Sequence, residues 1–535
     1  MDKDLESIQQ VRDLVAGAKK GQKILAASAQ EELNRYCKAV RDACVREAEP
    51  LAKMAVEETG FGVWQDKVLK NLLGSDTVWE SIKNMRTVGP LREDREEGIL
   101  EIGVPMGVVA ALIPSTNPTS TVMYKALISI KSGNAVVISP HPSALRCITE
   151  TVRVIKEALS AAGAPEGIVG CVSLVTAQAV DALLKHRDVG IILATGGEAM
   201  VRAAYSSGNP AIGVGPGNGP AFIERSADIP QAVGMIMDSK TFDNGTICAS
   251  EQSVVADTPI AAEVIREFQR QGAYFLNETE SAKLKALLFA GNRMNPKIVG
   301  KPAVYIAELA GFGVPGDARV LISQQTEVAR DNPYSREKLC PVLGFYEEDG
   351  WERACERCIA ILANEGAGHT MVIHSKDERI IREFAMKKAV SRLLVNTPGA
   401  LGGVGATTNL APALTLGCGA VGKSAASDNI TPLNLINIRR AAAGCRSLRD
   451  LRVRAGVILG KQGLGLYEGG NEIDPRKNPR VFSGGYGVQG GRTEKAPYGG
   501  AGAETAPPHT EPEGLTRFTR EDVEAITEMV IARLT

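Results

Sequence analysis

The chain has 535 residues, with 61 Lys plus Arg against 62 Asp plus Glu and a formal net charge of -1. No global field draws it to nucleic acid or anionic lipid, so neither a nucleic-acid nor a membrane partner is expected. Hydrophobic residues at 44% and charged residues at 23% are those of a globular protein, and the length exceeds one ordinary core, so two or three domains are expected.

The opening Met1-Asp-Lys-Asp-Leu-Glu lacks the basic-then-apolar pattern of a secretory signal, and no apolar run is long enough to span a bilayer. Ten cysteines are scattered rather than framed in pairs, which suggests a reducing cytosol with free thiols. Leu5, Ile8, Val11, Leu14, Val15 and Ala18 recur at helical spacing, and a longer amphipathic run from Ser28 to Thr59 follows, stopped at Gly60. From Gly107 the pattern changes. Short apolar runs (Gly107–Ile113, Ala135–Ile138, Ile168–Leu174, Gly190–Ala194, Pro220–Ile223) alternate with helical segments such as Ser143–Ala162 and Thr176–His186. Continuous Val/Ile/Leu strands separated by helices predict a parallel, doubly wound sheet buried on both faces.

A second α/β alternation begins near Ser250, with strands at Ser253–Ala256, Pro341–Tyr346, Thr370–His374 and Arg392–Asn396. Two such units in series place a cleft between them, where these folds bind ligands. Cys355 and Cys358 form a C-x-x-C with no second pair or His pair beside it, so helical spacing on one buried face is the reading and no metal is expected. After Leu466 the core ends. Residues 467–514 are rich in Gly, Pro and Glu and read as a flexible linker. Thr519 with Asp522 then resembles an N-cap box, and Val523, Ile526, Val530 and Leu534 share one face of a terminal helix.

Four segments carry candidate chemistry. Phe242-Asp-Asn-Gly-Thr-Ile-Cys248-Ala-Ser-Glu-Gln-Ser253 sits at the junction of the two units, with turn residues before the cysteine and polar ones after it. A thiolate in such a loop is a strong nucleophile towards aldehydes. Leu112-Ile-Pro-Ser-Thr-Asn-Pro-Thr-Ser120 follows a strand, and Asn117 could offer amide N–H to an oxyanion; Asn before Pro is also a good turn former. Ala194-Thr-Gly-Gly197 opens a helix where backbone amides could face a pyrophosphate, and Val214-Gly-Pro-Gly-Asn-Gly-Pro220 lets backbone approach a ligand closely. Gly417-Cys-Gly-Ala-Val-Gly-Lys-Ser424 matches a phosphate-binding pattern. It lacks the preceding buried strand and the long following helix, so triphosphate chemistry is not expected there.

Together these segments resemble the aldehyde dehydrogenase superfamily, in particular its CoA-acylating branch and within it the acetaldehyde and propionaldehyde dehydrogenases of bacterial microcompartments. The stretches I-P-S-T-N-P (113–118), A-T-G-G (194–197), G-V-G-P-G-N (213–218), T-I-C-A-S-E-Q (246–252) and A-G-H-T (367–370) stand in the family's order across residues 5–460, and Glu337-Lys-Leu-Cys-Pro-Val342 resembles its E-x-x-x-P-V segment.

The resemblance implies two doubly wound α/β domains, an oligomerisation β-arm and a C-terminal tail. An NAD/CoA-binding domain would span 1–235, with the arm at about 88–104, and a catalytic domain 236–425. Residues 426–460 would return to the first domain and supply an oligomerisation strand, 461–514 would be the flexible linker, and 515–535 a helix serving as an encapsulation peptide for a microcompartment shell protein. A homodimer or dimer of dimers in the bacterial cytoplasm, inside a microcompartment, would follow.

The resemblance also assigns roles. Cys248 would attack the aldehyde, Asn117 and the Cys248 amide would hold the oxyanion, and His369 would accept the CoA thiol proton, packing being the other reading of that histidine. NAD would lie against Ile113, Pro114, Ser115, Thr116, Ser139, His141, Thr195, Gly196, Gly197, Gly215, Pro216, Gly217 and Glu337, with CoA as co-substrate and no metal. Hydrolytic members carry a Glu just before the glycine loop, acting on water. Gly213-Val214-Gly215 stands there, and no acid occurs from Pro210 to Ile223, so a short-chain acyl-CoA is the expected product. The alternatives are a hydrolytic enzyme releasing free acid, a phosphate-linked semialdehyde dehydrogenase, and a non-catalytic assembly protein.

Overall fold

The computed structural model describes residues 2–291 and 293–460. The linker placed at 461–514 and the terminal helix at 515–535 lie outside the described residues. At the N-terminus the single run read from Ser28 to Thr59 is two helices, Gln30–Arg46 and Ala48–Thr59, breaking at Glu47. Pro50 explains the break: it has no N–H to give a preceding turn and is tolerated only in a first turn, so a new helix starts just before it. Gly60 ends that helix at φ 66, its amide bonded to the Val56 carbonyl.

The first sheet has five parallel strands, in spatial order 169–171, 135–139, 108–112, 189–195, 211–214. Chain order runs outwards in one direction from Val108–Leu112, then jumps back beside it to Val189–Thr195 and runs the other way. Right-handed crossovers in opposite directions place helices on opposite faces, and the reversal leaves a crevice at the strands' carboxyl ends. The second sheet has seven parallel strands, ordered 273–275, 320–324, 342–348, 251–257, 219–223, 368–374, 390–395. Its two faces feed separate cores. Ala221 and Ile223 pack with Val233, Ile236, Val264 and Phe268, whereas Phe222 between them packs with Cys358, Ile361 and Phe384. The architecture is therefore α/β with two doubly wound sheets.

Two details differ from the sequence reading. Strand Gly219–Ile223 belongs to the second sheet, so the chain passes between sheets at 215–218, ahead of the boundary placed at 235. Strands Ala211–Val214, Ala273–Phe275 and Val320–Gln324 were not anticipated; runs this short cannot be told from other short apolar stretches by periodicity. Cys355 and Cys358 do lie buried on one helix, Trp351–Asn364, and no metal-holding group of His, Cys, Asp and Glu occurs among the described residues.

Segments 89–94, 99–105 and 436–442 form a three-stranded antiparallel sheet, the last strand pairing only with 99–105 among the described residues. The phosphate-loop look-alike at 417–424 contains only a short 3-10 turn at Ala420–Gly422. No described helix is long and apolar enough to cross a membrane.

Candidate active site

The loop before Cys248 is a strained turn. Asp243, Asn244 and Gly245 adopt φ of 49°, 51° and 76°, a left-handed run that Asp, Asn and Gly tolerate best. Four groups hold it there. The Asp243 carboxylate accepts from the Val63 amide at 2.7 Å and from Lys67 Nζ at 2.9 Å, and it also pairs with Lys70 Nζ. Its own amide donates to Asp66 at 2.7 Å. Burial alone would raise the Asp243 carboxyl, but the two ammonium groups outweigh it and hold the group below the usual carboxylate range. The chain then reaches Cys248, partly exposed ahead of strand Glu251–Asp257.

Asn117 stands on one side of this loop, at the carboxyl end of Val108–Leu112 and just before the helix Pro118–Lys131. Its Oδ1 accepts from Lys70 Nζ at 2.7 Å. Its Nδ2 meets Thr116 Oγ1 at 3.2 Å and the Thr246 carbonyl, two residues before the cysteine, at 3.4 Å.

On the other side His369 Nε2 lies 3.2 Å from Cys248 Sγ. His369 is the second residue of strand Gly368–His374, and its Nδ1 is 2.9 Å from Thr370 Oγ1. Arg392 Nε donates to that same oxygen at 3.1 Å, which leaves the threonine hydroxyl able to donate to Nδ1. In that tautomer Nε2 carries the ring proton and donates to sulfur. Burial, with Arg392 nearby, lowers His369 to about 3, so the ring is neutral. Burial also pushes the Cys248 thiol up to about 12. Glu337 and Cys418 add to this, and Arg392 opposes it. Arg392 spends its remaining protons on the carbonyls of His369, Gly417 and Ser427 and on Asn429.

The segments expected to hold the cofactor all fall at carboxyl ends of the first sheet or directly opposite. Pro114, Ser115 and Thr116 follow 108–112, Ser139 ends 135–139, Thr195 ends 189–195 with Gly196 and Gly197 beyond it, and Gly215, Pro216 and Gly217 follow 211–214. Gly197 caps the helix Glu198–Tyr205 with no side-chain hydrogen bond at the cap. The Gly217 amide donates to Glu337 Oε1 at 2.8 Å, and a Cβ on Gly217 would lie 1.9 Å from the Cys248 carbonyl oxygen, so only glycine fits. Burial, with Glu365 adding, raises the Glu337 carboxyl to about 8.

Ile113 is fully buried, leaving only backbone to offer, and His141 Nδ1 accepts the Ser143 amide at 3.2 Å as a turn cap. Lys67, Lys70, Asp243, Thr370 and Arg392 were not anticipated. Two lysines three apart in a helix look the same in sequence whether they face solvent or a buried carboxylate.

A partly exposed thiol flanked by a carboxamide and a neutral imidazole, near glycine loops at the ends of a doubly wound sheet, is an arrangement suited to covalent cysteine chemistry. The comparisons narrow it. The aldehyde dehydrogenase family pattern matches residues 4–277. The bifunctional aldehyde-alcohol dehydrogenase AdhE of Escherichia coli K12 is 41% identical over 441 residues, covering 82% of this chain and 50% of that relative, so the chain spans about half its length. Among solved structures, an acetylating aldehyde dehydrogenase from Geobacillus thermoglucosidasius matches with TM-score 0.82 and 49% identity, covering 83% of this chain and 99% of that one. A propionaldehyde dehydrogenase from the Clostridium phytofermentans fucose utilisation bacterial microcompartment matches with TM-score 0.73 and 28% identity, covering 81% and 97%. The chain belongs to the aldehyde dehydrogenase family, and its similarity extends to acylating members.

Proposed function

We propose that this enzyme oxidises a short, uncharged aldehyde, acetaldehyde or propionaldehyde, with NAD and delivers the acyl group to CoA. The observation that carries the reading is the pairing of a cysteine flanked by Asn117 and His369 with a carboxylate-free stretch where hydrolytic members place their base. Val214 there is a buried strand residue, and the Gly213 amide is taken by the Tyr205 hydroxyl at 2.9 Å. Water has no activated route to a thioester at that position.

The steps follow from the contacts. The Cys248 proton leaves to solvent, and the thiolate, held by the N–H of His369, attacks the carbonyl carbon. The resulting oxyanion takes hydrogen bonds from Asn117 Nδ2 and the Cys248 amide, each worth about 3–4 kcal/mol in comparable sites. When bound, NAD supplies the hydride acceptor, leaving a thioacyl Cys248. CoA attacks it as a thiolate, and Cys248 departs as a thiolate onto the same imidazole. His369 therefore serves as hydrogen-bond donor to sulfur. Accepting a full proton would set an imidazolium beside Arg392, which its low pKa opposes. Glu337, which accepts from Gly217, would hold a ribose hydroxyl, and the first amides after Gly197 would take a pyrophosphate.

The substrate class rests on a cavity of about 620 Å³ behind the nucleophile loop, walled by Leu69, Leu73, Phe242, Ile247, Leu401 and Val404. Its one lining lysine, Lys70, spends all three protons on Asn117, Asp243 and Thr246. With its protons so engaged, Lys70 is not free to anchor a carboxylate-bearing aldehyde.

A hydrolytic reading keeps one observation on its side, a Glu337 carboxyl raised to about 8 within electrostatic reach of the sulfur. Following NADH and product from propionaldehyde with and without CoA decides between them. Acyl-CoA with CoA, and little turnover without it, is expected; sustained free acid at the same rate without CoA rejects the acylating reading.

A further inference from the structure

Asn117 can act as an oxyanion donor only in one of its two amide orientations, and the orientation is decided by a neighbour. Lysine Nζ has three protons and no lone pair, so the Asn117 atom 2.7 Å from Lys70 Nζ must be oxygen, and the NH2 must point away, towards the loop of Cys248. On that side its contacts are long, 3.2 Å to Thr116 and 3.4 Å to the Thr246 carbonyl, leaving the amide protons available for a stronger acceptor. Lys70 itself is fixed. It is 1% exposed, donates to Thr246 at 2.9 Å, and pairs with the fully buried Asp243, which Lys67 holds from a second direction while donating to the Thr116 carbonyl at 2.9 Å. One cluster thus ties the Asn117 strand-end to the cysteine loop. Burying two ammonium groups around one carboxylate is costly unless every proton finds a partner, and here the third partner of Lys70 is the amide oxygen.

The geometry points to Lys70 as the positioning residue that sets the Asn117 amide towards the oxyanion and strengthens its N–H groups as donors. A cation on the amide oxygen withdraws electron density through the carboxamide and polarises the opposite N–H. Lys70 touches no reacting atom; it acts through Asn117. The inference rests on the reading of Asn117 as an oxyanion donor.

A double-mutant cycle on the full-length enzyme tests it. Lys70→Met removes the donor at similar volume; Lys70→Gln restores a neutral one. Lys70→Met is expected to lower kcat for NADH formation about 100-fold, the loss typical of an oxyanion donor, with KM for CoA and alkylation of Cys248 by iodoacetamide nearly unchanged. Lys70→Gln should recover at least tenfold of that loss, and Lys70→Met with Asn117→Ala should be no slower than Asn117→Ala alone. Two results overturn the inference while leaving the oxyanion reading intact: a Lys70→Met enzyme with wild-type kcat beside a crippled Asn117→Ala, or losses that multiply in the double variant. Wild-type kcat in Asn117→Ala overturns the oxyanion reading and this inference with it. Where Lys70→Met does not fold, Lys70→Gln alone and combined with Asn117→Ala closes the same cycle.

Discussion

The two sides of Cys248 are built on opposite electrostatic plans. On the Asn117 side the supports are charged: Lys67 and Lys70 converge on Asp243 in a site excluded from water. On the His369 side the group touching sulfur is neutral, and the one cation behind it, Arg392, is engaged with a hydroxyl, a side-chain amide and backbone carbonyls rather than with a carboxylate. The difference fits the charge each side would meet in the proposed reaction. There an oxyanion forms and collapses within a turnover, so the donors facing it gain from fixed positive charge that needs no reorganisation. A thiolate must be reachable at rest yet reactive, and a neutral N–H stabilises it without binding it as an ion pair would.

Three experiments break or sharpen that contrast. Replacing the atom between the two sides has the largest expected effect. Cys248→Ala should lower aldehyde oxidation by at least about 10⁴-fold while NAD binding by fluorescence persists; substantial residual turnover ends the covalent mechanism. Next comes the charged side. Asp243→Asn leaves two buried ammonium groups without their counterion and should cost ~3–5 kcal/mol of stability. Denaturant titration reads it, and a change under 1 kcal/mol would mean that the cluster is not the keystone of this side.

The smallest effect is on the neutral side. Because burial raises the thiol to about 12, thiolate is scarce at neutral pH and grows with each pH step. Alkylation of the Cys248 peptide, followed by mass spectrometry, should therefore keep rising through pH 9 to 10 without a plateau. His369→Ala removes a donor to a charged acceptor, worth ~1.5 kcal/mol, and should slow alkylation about tenfold across that range. A plateau near pH 7, or an unchanged rate in the variant, contradicts the role given to the ring.

Sequence alone determined a good deal, because the relevant signals are local. The continuous apolar runs at 107–113 and 190–194 encode parallel strands buried on both faces. The Asp-Asn-Gly before Cys248 encodes a left-handed turn, since those residue types bear positive φ at least cost. The absence of acid at 213–215 is itself a sequence fact. Tertiary structure alone decided which lysines are buried, which way the Asn117 amide faces and that His369 meets Cys248. Each of these depends on atoms far apart in the chain: Lys70 and Asn117 are 47 residues apart, and His369 and Cys248 are 121 apart. No periodicity records such a meeting, because helical or strand spacing fixes only which residues share a face. A lysine on a helix face reads alike whether that face meets water or a carboxylate, and only the packed fold, by excluding water there, makes the difference in energy.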